Sequence, residues 1–245
     1  MSDVTFCSGM QRAATLWAYQ VSIILQSLAA TRLGKALRYG ALDVSLSDKV
    51  MASVQSNDVW VLKTSVLSPA GVARLARFDI KHICMLRDPR DCVLSRQIHK
   101  NETFNQSLDA VATDLKWVGL YFRLKRSLFL RYEDMVLDPG AAIHQIAAYL
   151  DMSLEKRLVK DIIERTDISA MRELQQDLMQ QFQSADWHDP ITGMSANHIH
   201  SGASGQWRNH YDAEQITQLH QQLGVWIVSL GYDEASVLRI PKVKH

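Results

Sequence analysis

Only three cysteines occur in 245 residues. Their number is odd, and no CxxC pair or zinc-ligand spacing is present, so a disulfide framework and a structural zinc site are both disfavoured. Cys7 and Cys84 lie inside apolar runs, where a reduced, buried thiol of a cytoplasmic protein is the expectation. Long hydrophobic runs are also missing. The longest, Val21 to Ala30, is interrupted by polar residues and falls well short of the roughly 20 needed to cross a bilayer. The opening "MSDVTF" has no basic segment followed by an apolar one, so no secretory signal is expected. Charge of one sign is lacking too, with a formal balance of +1. Such a chain has no global field to attract nucleic acid or an anionic membrane, and neither a nucleic-acid partner nor a membrane span is expected.

With 47% hydrophobic residues there is ample material for one sizeable core, and residues 1–245 are expected to form a single domain. "VTFCSG" reads as a buried strand followed by a loop and a helix over Ala13 to Thr31. The pattern repeats. Val59 to Ser65 reads as a strand with a helix around Ala70 to Phe78, and Ile80 to Leu86 as a strand with a helix opened by Pro89 and running through Ile98. Ser127 to about Tyr132 supplies a further strand, and Pro139 opens another helix. Residues 153–183 read as helical, and a last helix runs from about Asp212 to Leu230 with Asp212 as N-cap and Gly231 as C-cap. Strands alternating with helices predict an α/β fold of three layers, P-loop-like, with a central, mostly parallel sheet flanked by helices. Ligands bind such sheets beyond the C-terminal strand ends, which places the site at the segments beginning at Ser8, Lys63, Arg87 and Tyr132. Residues 184–211 have no sustained period and are expected to form a long loop covering that site.

Two of these segments carry recognisable chemistry. "CSGMQRAATLW", Cys7 to Trp17, has the position of a phosphate-cradling loop without its usual Lys and second Gly. The window expected of a kinase has Ala14 for that Gly, Thr15 for the Lys and Leu16 for the metal-binding hydroxyl, which disfavours a nucleotide kinase. "RDPRDCVLS", Arg87 to Ser95, follows a strand directly. It reads either as an ordinary helix start capped by Asp88, or as an anion site in which a guanidinium and a hydroxyl grip a phosphate from two sides.

The segment "RDPRDCVLS" resembles the 3′-phosphate-binding segment of sulfotransferases that use 3′-phosphoadenosine 5′-phosphosulfate (PAPS). Other segments fall in that family's order: "MQRAATLW" resembles its phosphosulfate loop, "VLKTS" its lysine-containing strand end, "RYEDMVLDP" a later strand and turn, and "SGASGQWRN" its C-terminal nucleotide-covering segment. The resemblance implies a PAPS-dependent sulfotransferase acting on a hydroxyl or amine of a small-molecule or glycan acceptor, with no metal. It implies that Arg12 and Lys63 neutralise the phosphosulfate and the leaving phosphate, with Ala13, Ala14, Thr15 and Leu16 around them. Arg87 and Ser95 would hold the 3′-phosphate, Trp17 and Tyr132 the adenine, and His200, Ser201 and Gly202 would close over the nucleotide.

The chain departs from the pattern in the loop, where Ala13 and Ala14 replace the usual Ser and Gly, and at Ser65, where many members have a His base. Ser is a poor base without a partner. His99, four residues after Ser95 and so on the same helix face, is the preferred proton acceptor, and Glu102 a weaker one. The same departures motivate a second reading, a catalytically weak nucleotide-binding or regulatory protein on this fold. The "HIH" of His198 to His200 lacks a third ligand and does not complete a metal site.

Overall fold

The computed structural model describes residues 3–41, 57–78, 80–182, 189, 194 and 202–232. Five strands form one sheet: β1 (Asp3–Gly9), β2 (Leu37–Ala41), β3 (Val59–Lys63), β4 (Lys81–Leu86) and β5 (Ser127–Arg131). Their spatial order is β2-β3-β1-β4-β5, and every pairing is parallel. The helices are α1 (Thr15–Leu33), α2 (Pro69–Leu75), α3 (Pro89–Lys100), α4 (Phe104–Val118), α5 (Tyr132–Leu137), α6 (Pro139–Tyr149), α7 (Lys156–Thr166), α8 (Ile168–Phe182), α9 (Trp207–His210) and α10 (Ala213–Ser229). Helix α1 packs on β1 and β3 and against α6 and α7, while α3, α4 and α10 pack together. The expected α/β fold, a parallel sheet flanked by helices, is the one observed.

Strands covered on both faces are largely apolar, and the central ones are buried: β4 at all six positions and β1 from Val4 to Gly9. Two polar residues in these strands are satisfied by each other. Ser8 Oγ lies 2.7 Å from His82 Nε2, and His82 Nδ1 lies 2.9 Å from Ser127 Oγ, a row of side chains across β1, β4 and β5. Burial pulls the His82 pKa down to about 3, so the ring is neutral and serves the sheet.

Gly9 sits where β1 leaves the sheet. A Cβ there would lie 2.2 Å from the Met85 carbonyl oxygen, which accepts the Met10 N–H at 3.1 Å. The Gly9 N–H donates to Ser65 O at 3.0 Å, and Thr64 N–H to Cys7 O at 3.1 Å. The ends of β1, β3 and β4 are thus pinned side by side, and the segments that follow them emerge together.

Several boundaries differ from the sequence expectation. Strand β3 ends at Lys63 and β5 at Arg131, so Tyr132 opens a helix. Helix α1 begins at Thr15, because Ala14 takes a left-handed conformation (φ 61°) that no helix continues from. Residues 156–182 are two helices, broken at Asp167, whose carboxylate accepts the Ala170 N–H at 2.7 Å. The expected loop 184–211 lies largely outside the described residues, and its described end contains the short helix α9. Asp212 caps α10 in a reciprocal capping box with Gln215, as its position predicted, and Gly231 (φ 73°) follows the last turn. No helix among the described residues is long and apolar enough to cross a membrane.

Candidate functional site

Residues 10–14 turn from β1 into α1, and two of them, Arg12 (φ 67°) and Ala14 (φ 61°), are non-glycine residues in the left-handed region. Ala13 N–H is taken by Met10 O at 3.2 Å, so it is not free to donate to a ligand. The N–H groups of Ala14, Thr15 and Leu16 have no backbone partner among the described residues and mark the positive end of α1.

The Arg12 side chain crosses to α3. Its Nε donates to Ser95 Oγ at 3.0 Å. Arg87, at the end of β4, donates from one terminal nitrogen to Arg12 O at 3.0 Å and from the other to Ala203 O at 2.9 Å. Its guanidinium lies 4.1 Å from the Tyr132 ring centroid, and the Tyr132 hydroxyl donates to Gly202 O. Gly202 needs its lack of a side chain: φ is 74°, and a Cβ would lie 2.4 Å from Ile168 Cδ1. The four expected strand-end segments therefore converge in part: Arg12, Ala14, Leu16, Trp17, Arg87, Ser95, Tyr132 and Gly202 surround one cavity.

That cavity has a volume of about 450 Å³. Arg12, Arg87 and Ser95, with Asp91 beside Arg87, are among its polar lining, and Trp17, Met135, Ile168 and Met171 are among its apolar walls. It is large enough for a nucleotide-sized ligand. Two buried polar atoms of these segments have no hydrogen-bond partner, Arg87 Nε and Thr15 Oγ1, and of the expected loop residues Ala13 and Thr15 do not line the cavity. An unmet donor on a buried guanidinium is costly, and an anionic oxygen is what satisfies it. Burial, followed by the neighbouring Arg87 charge, pulls the Arg12 pKa down to about 10. The two cations thus repel across a space that an anion would neutralise.

Lys63 is 4% exposed at the end of β3 and does not line this cavity. Burial pulls its pKa down to about 8, and no carboxylate among the described residues offsets that. Ser65, at the position the family often gives to a His base, is exposed. Helix α3 presents Ser95 and Ile98 to the cavity, while His99 is half-buried and outside its lining. Glu102 is committed elsewhere. Burial pushes its carboxyl up, but Arg96 at 2.7 Å and Ser107 at 3.1 Å outweigh that and hold it below the usual carboxylate range. Arg96 also donates to Gln11 Oε1 at 2.6 Å, so Glu102 braces the loop through Arg96. His200, Ser201, Trp187 and the "HIH" segment lie outside the described residues. Among the described residues there is no cluster of His, Cys, Asp and Glu able to hold a metal.

Residues 61–227 match the sulfotransferase domain family. The chain belongs to this family. The matched segment contains Lys63, Arg87, Ser95, Tyr132 and Gly202 and begins after the loop at 7–17, where the chain departs most from the usual pattern. Solved sulfotransferase-fold structures are similar over nearly the whole chain. Retinol dehydratase in complex with androsterone and the inactive cofactor PAP superposes with a TM-score of 0.63 at 16% identity, covering 99% of this chain and 82% of that one. Mouse sulfotransferase SULT7A1 complexed with PAP gives 0.64 at 16% identity, covering 97% and 86%. No curated protein sequence matches significantly.

Some residues of this sulfotransferase domain had no signal in the sequence. Asp91 accepts the N–H groups of Gly205 at 2.6 Å and Trp207 at 3.2 Å, fastening the segment that closes the cavity. Arg90, 1% exposed, pairs with Asp88, donates to Tyr232 O at 2.6 Å and lies 4.0 Å from the Trp207 ring centroid. Asp88 caps α3 as its position predicted, accepting the Arg90 N–H at 3.0 Å, while the Arg90 side chain it also holds anchors the C-terminal part. Asp114 on α4 is 7% exposed, with one carboxylate oxygen unpartnered. Burial pushes its pKa up to about 6, against the pull of Arg96, Lys100 and the Gln11 N–H.

Proposed function

We propose that this chain transfers the sulfuryl group of PAPS to a hydroxyl or amine of a small-molecule or glycan acceptor. The observation that carries the reading is the corner of Arg12, Arg87 and Ser95, with its unmet Arg87 Nε–H, at the end of an apolar cavity of about 450 Å³. A phosphate fits the corner and a purine fits the apolar walls beside Trp17 and Tyr132. Two structures of the same fold were solved with PAP, the desulfonated donor, which supports this choice of nucleotide.

The donor supplies an activated sulfuryl group. The chain's own residues bind, orient and neutralise. Arg87 and Ser95 hold the 3′-phosphate. The N–H groups of Ala14, Thr15 and Leu16 and the Thr15 hydroxyl face the phosphosulfate at the positive end of α1, and Lys63 neutralises the leaving phosphate. Gly202, Ser201 and His200 cover the nucleotide. His99, one turn beyond Ser95 on α3 and outside the nucleotide cavity, takes the acceptor proton. The androsterone and retinol bound in structural neighbours support a small-molecule acceptor. The three buried, free thiols support a cytoplasmic setting.

The test is transfer of label from radioactive PAPS to a panel of phenols, alcohols, amines and glycans. Labelled product with wild type and none with Arg87→Ala supports the reading. Tight binding of PAP without transfer to any acceptor favours the second reading, a nucleotide-binding protein, which Ala13, Ala14 and Ser65 motivate.

A further inference from the structure

We propose that Arg12 reads the ribose 3′-phosphate together with Arg87 and Ser95, and not the phosphosulfate end to which its place in the loop would assign it. The inference rests on the nucleotide reading above and redistributes the charges within it.

Three observations on the loop point the same way. Arg12 has φ 67°, which turns its side chain out of the path from β1 into α1, and its Nε reaches Ser95 Oγ at 3.0 Å. Arg87 fastens this geometry from the other side by donating to Arg12 O at 3.0 Å. Both guanidiniums and the Ser95 hydroxyl then line the same cavity corner. A phosphomonoester carries close to two negative charges near neutral pH, and two guanidiniums with a hydroxyl match that charge better than one cation does. Burial first, and then the neighbouring Arg87 charge, lowers the Arg12 pKa, and an anion placed between the two guanidiniums would favour both charges.

The other end of the nucleotide is served by different groups. Thr15 Oγ1 is buried without a partner, the Ala14, Thr15 and Leu16 N–H groups open the α1 helix, and Lys63 follows a separate strand outside the cavity lining. Arg12 is then a specificity determinant: it separates 3′-phosphorylated adenylates from unphosphorylated ones, and Lys63 does not.

Calorimetric titration of the full chain with PAP and with adenosine 5′-phosphate tests this, using wild type, Arg12→Ala, Arg12→Lys and Lys63→Met. Wild type is expected to prefer PAP. Arg12→Ala should lose about tenfold or more in affinity for PAP and about twofold or less for adenosine 5′-phosphate. Arg12→Lys keeps the charge but loses the Nε–H and should fall between the two. Lys63→Met should weaken both ligands by a similar factor. An unchanged PAP preference in both Arg12 variants overturns the assignment while leaving the nucleotide reading intact. Absence of any preference in wild type overturns the nucleotide reading itself, and this inference with it.

Discussion

The Arg87 guanidinium donates to the main-chain oxygen of Arg12 at 3.0 Å, so the cation that ends β4 sets the backbone of the loop that ends β1. One side chain therefore does two things: it lines the cavity with a guanidinium whose buried Nε–H is unmet, and it holds in place the residue whose side chain reaches Ser95. Removing Arg87 should cost affinity through both. Arg87→Ala is expected to weaken PAP binding by about 2–4 kcal/mol, roughly 30- to 1000-fold, because charge-assisted hydrogen bonds to a phosphate are lost in a buried site. Calorimetry checks it, and a loss below about threefold would remove Arg87 from the nucleotide site.

Ala14 adopts φ 61° at the mouth of α1, a conformation that costs an L-residue about 1 kcal/mol or more and glycine almost nothing. Ala14→Gly should therefore stabilise the fold by roughly 0.5–1 kcal/mol after allowing for the larger entropy of the unfolded glycine, whereas Ala14→Val should destabilise it. Denaturant midpoints decide it. A lower midpoint for the glycine variant would contradict the left-handed assignment.

Lys63 is held down to about pKa 8 by burial, below its usual 10.5. The unfolded chain binds the extra proton between those values, so wild-type stability rises as pH increases from about 8 to 10.5, and the cost of burying the charge is constant below 8. Binding a phosphosulfate needs the charged amine. Affinity for PAP should stay level below pH 8 and decline above it, by up to about tenfold per pH unit, and Lys63→Met should show neither dependence.

Asp114 behaves in the opposite sense, since burial pushes its carboxyl up to about pKa 6. The native state then holds the proton more tightly between about pH 4 and 6, so stability falls as pH rises through that window and the full cost is present at neutral pH. Asp114→Asn, which keeps an acceptor for the Gln11 N–H, should gain up to about 3 kcal/mol at pH 7 and little at pH 4. Equal melting temperatures for the two proteins at both pH values would refute this.

His99→Ala should lower kcat by about 10²-fold or more and leave PAP affinity unchanged, as expected of a group that meets only the acceptor. Single-turnover kinetics with saturating donor measure it, and an unchanged rate moves the proton acceptor elsewhere.

Much of this was legible in the residues. The apolar runs at β1, β3 and β4 read as strands, and nearly all their positions are buried, while the spacing from Arg87 to Ser95 places a cation and a hydroxyl at one helix mouth. Strand β2, "LRYGA", was not legible, because an edge strand with none of its five positions fully buried carries no continuous apolar run. The direction of Arg12 was hidden for a different reason: it depends on a positive φ at a non-glycine residue, which composition does not announce. The roles of Asp91 and Arg90 were not legible because their partners lie in the C-terminal segment, more than a hundred residues away, and meet them only in the fold. The apolar cavity walls at Ile168 and Met171 look like any other helical core positions.

The central claim is that the cavity selects an adenylate bearing a 3′-phosphate. Calorimetric titration of the wild-type chain with PAP, adenosine 5′-phosphate and ATP tests it most directly. The account predicts a preference for PAP over adenosine 5′-phosphate of about a hundredfold, from roughly 3 kcal/mol of charge-assisted contacts to the extra phosphate, with ATP no better than adenosine 5′-phosphate. Equal affinity for PAP and adenosine 5′-phosphate, or a preference for ATP, would contradict it.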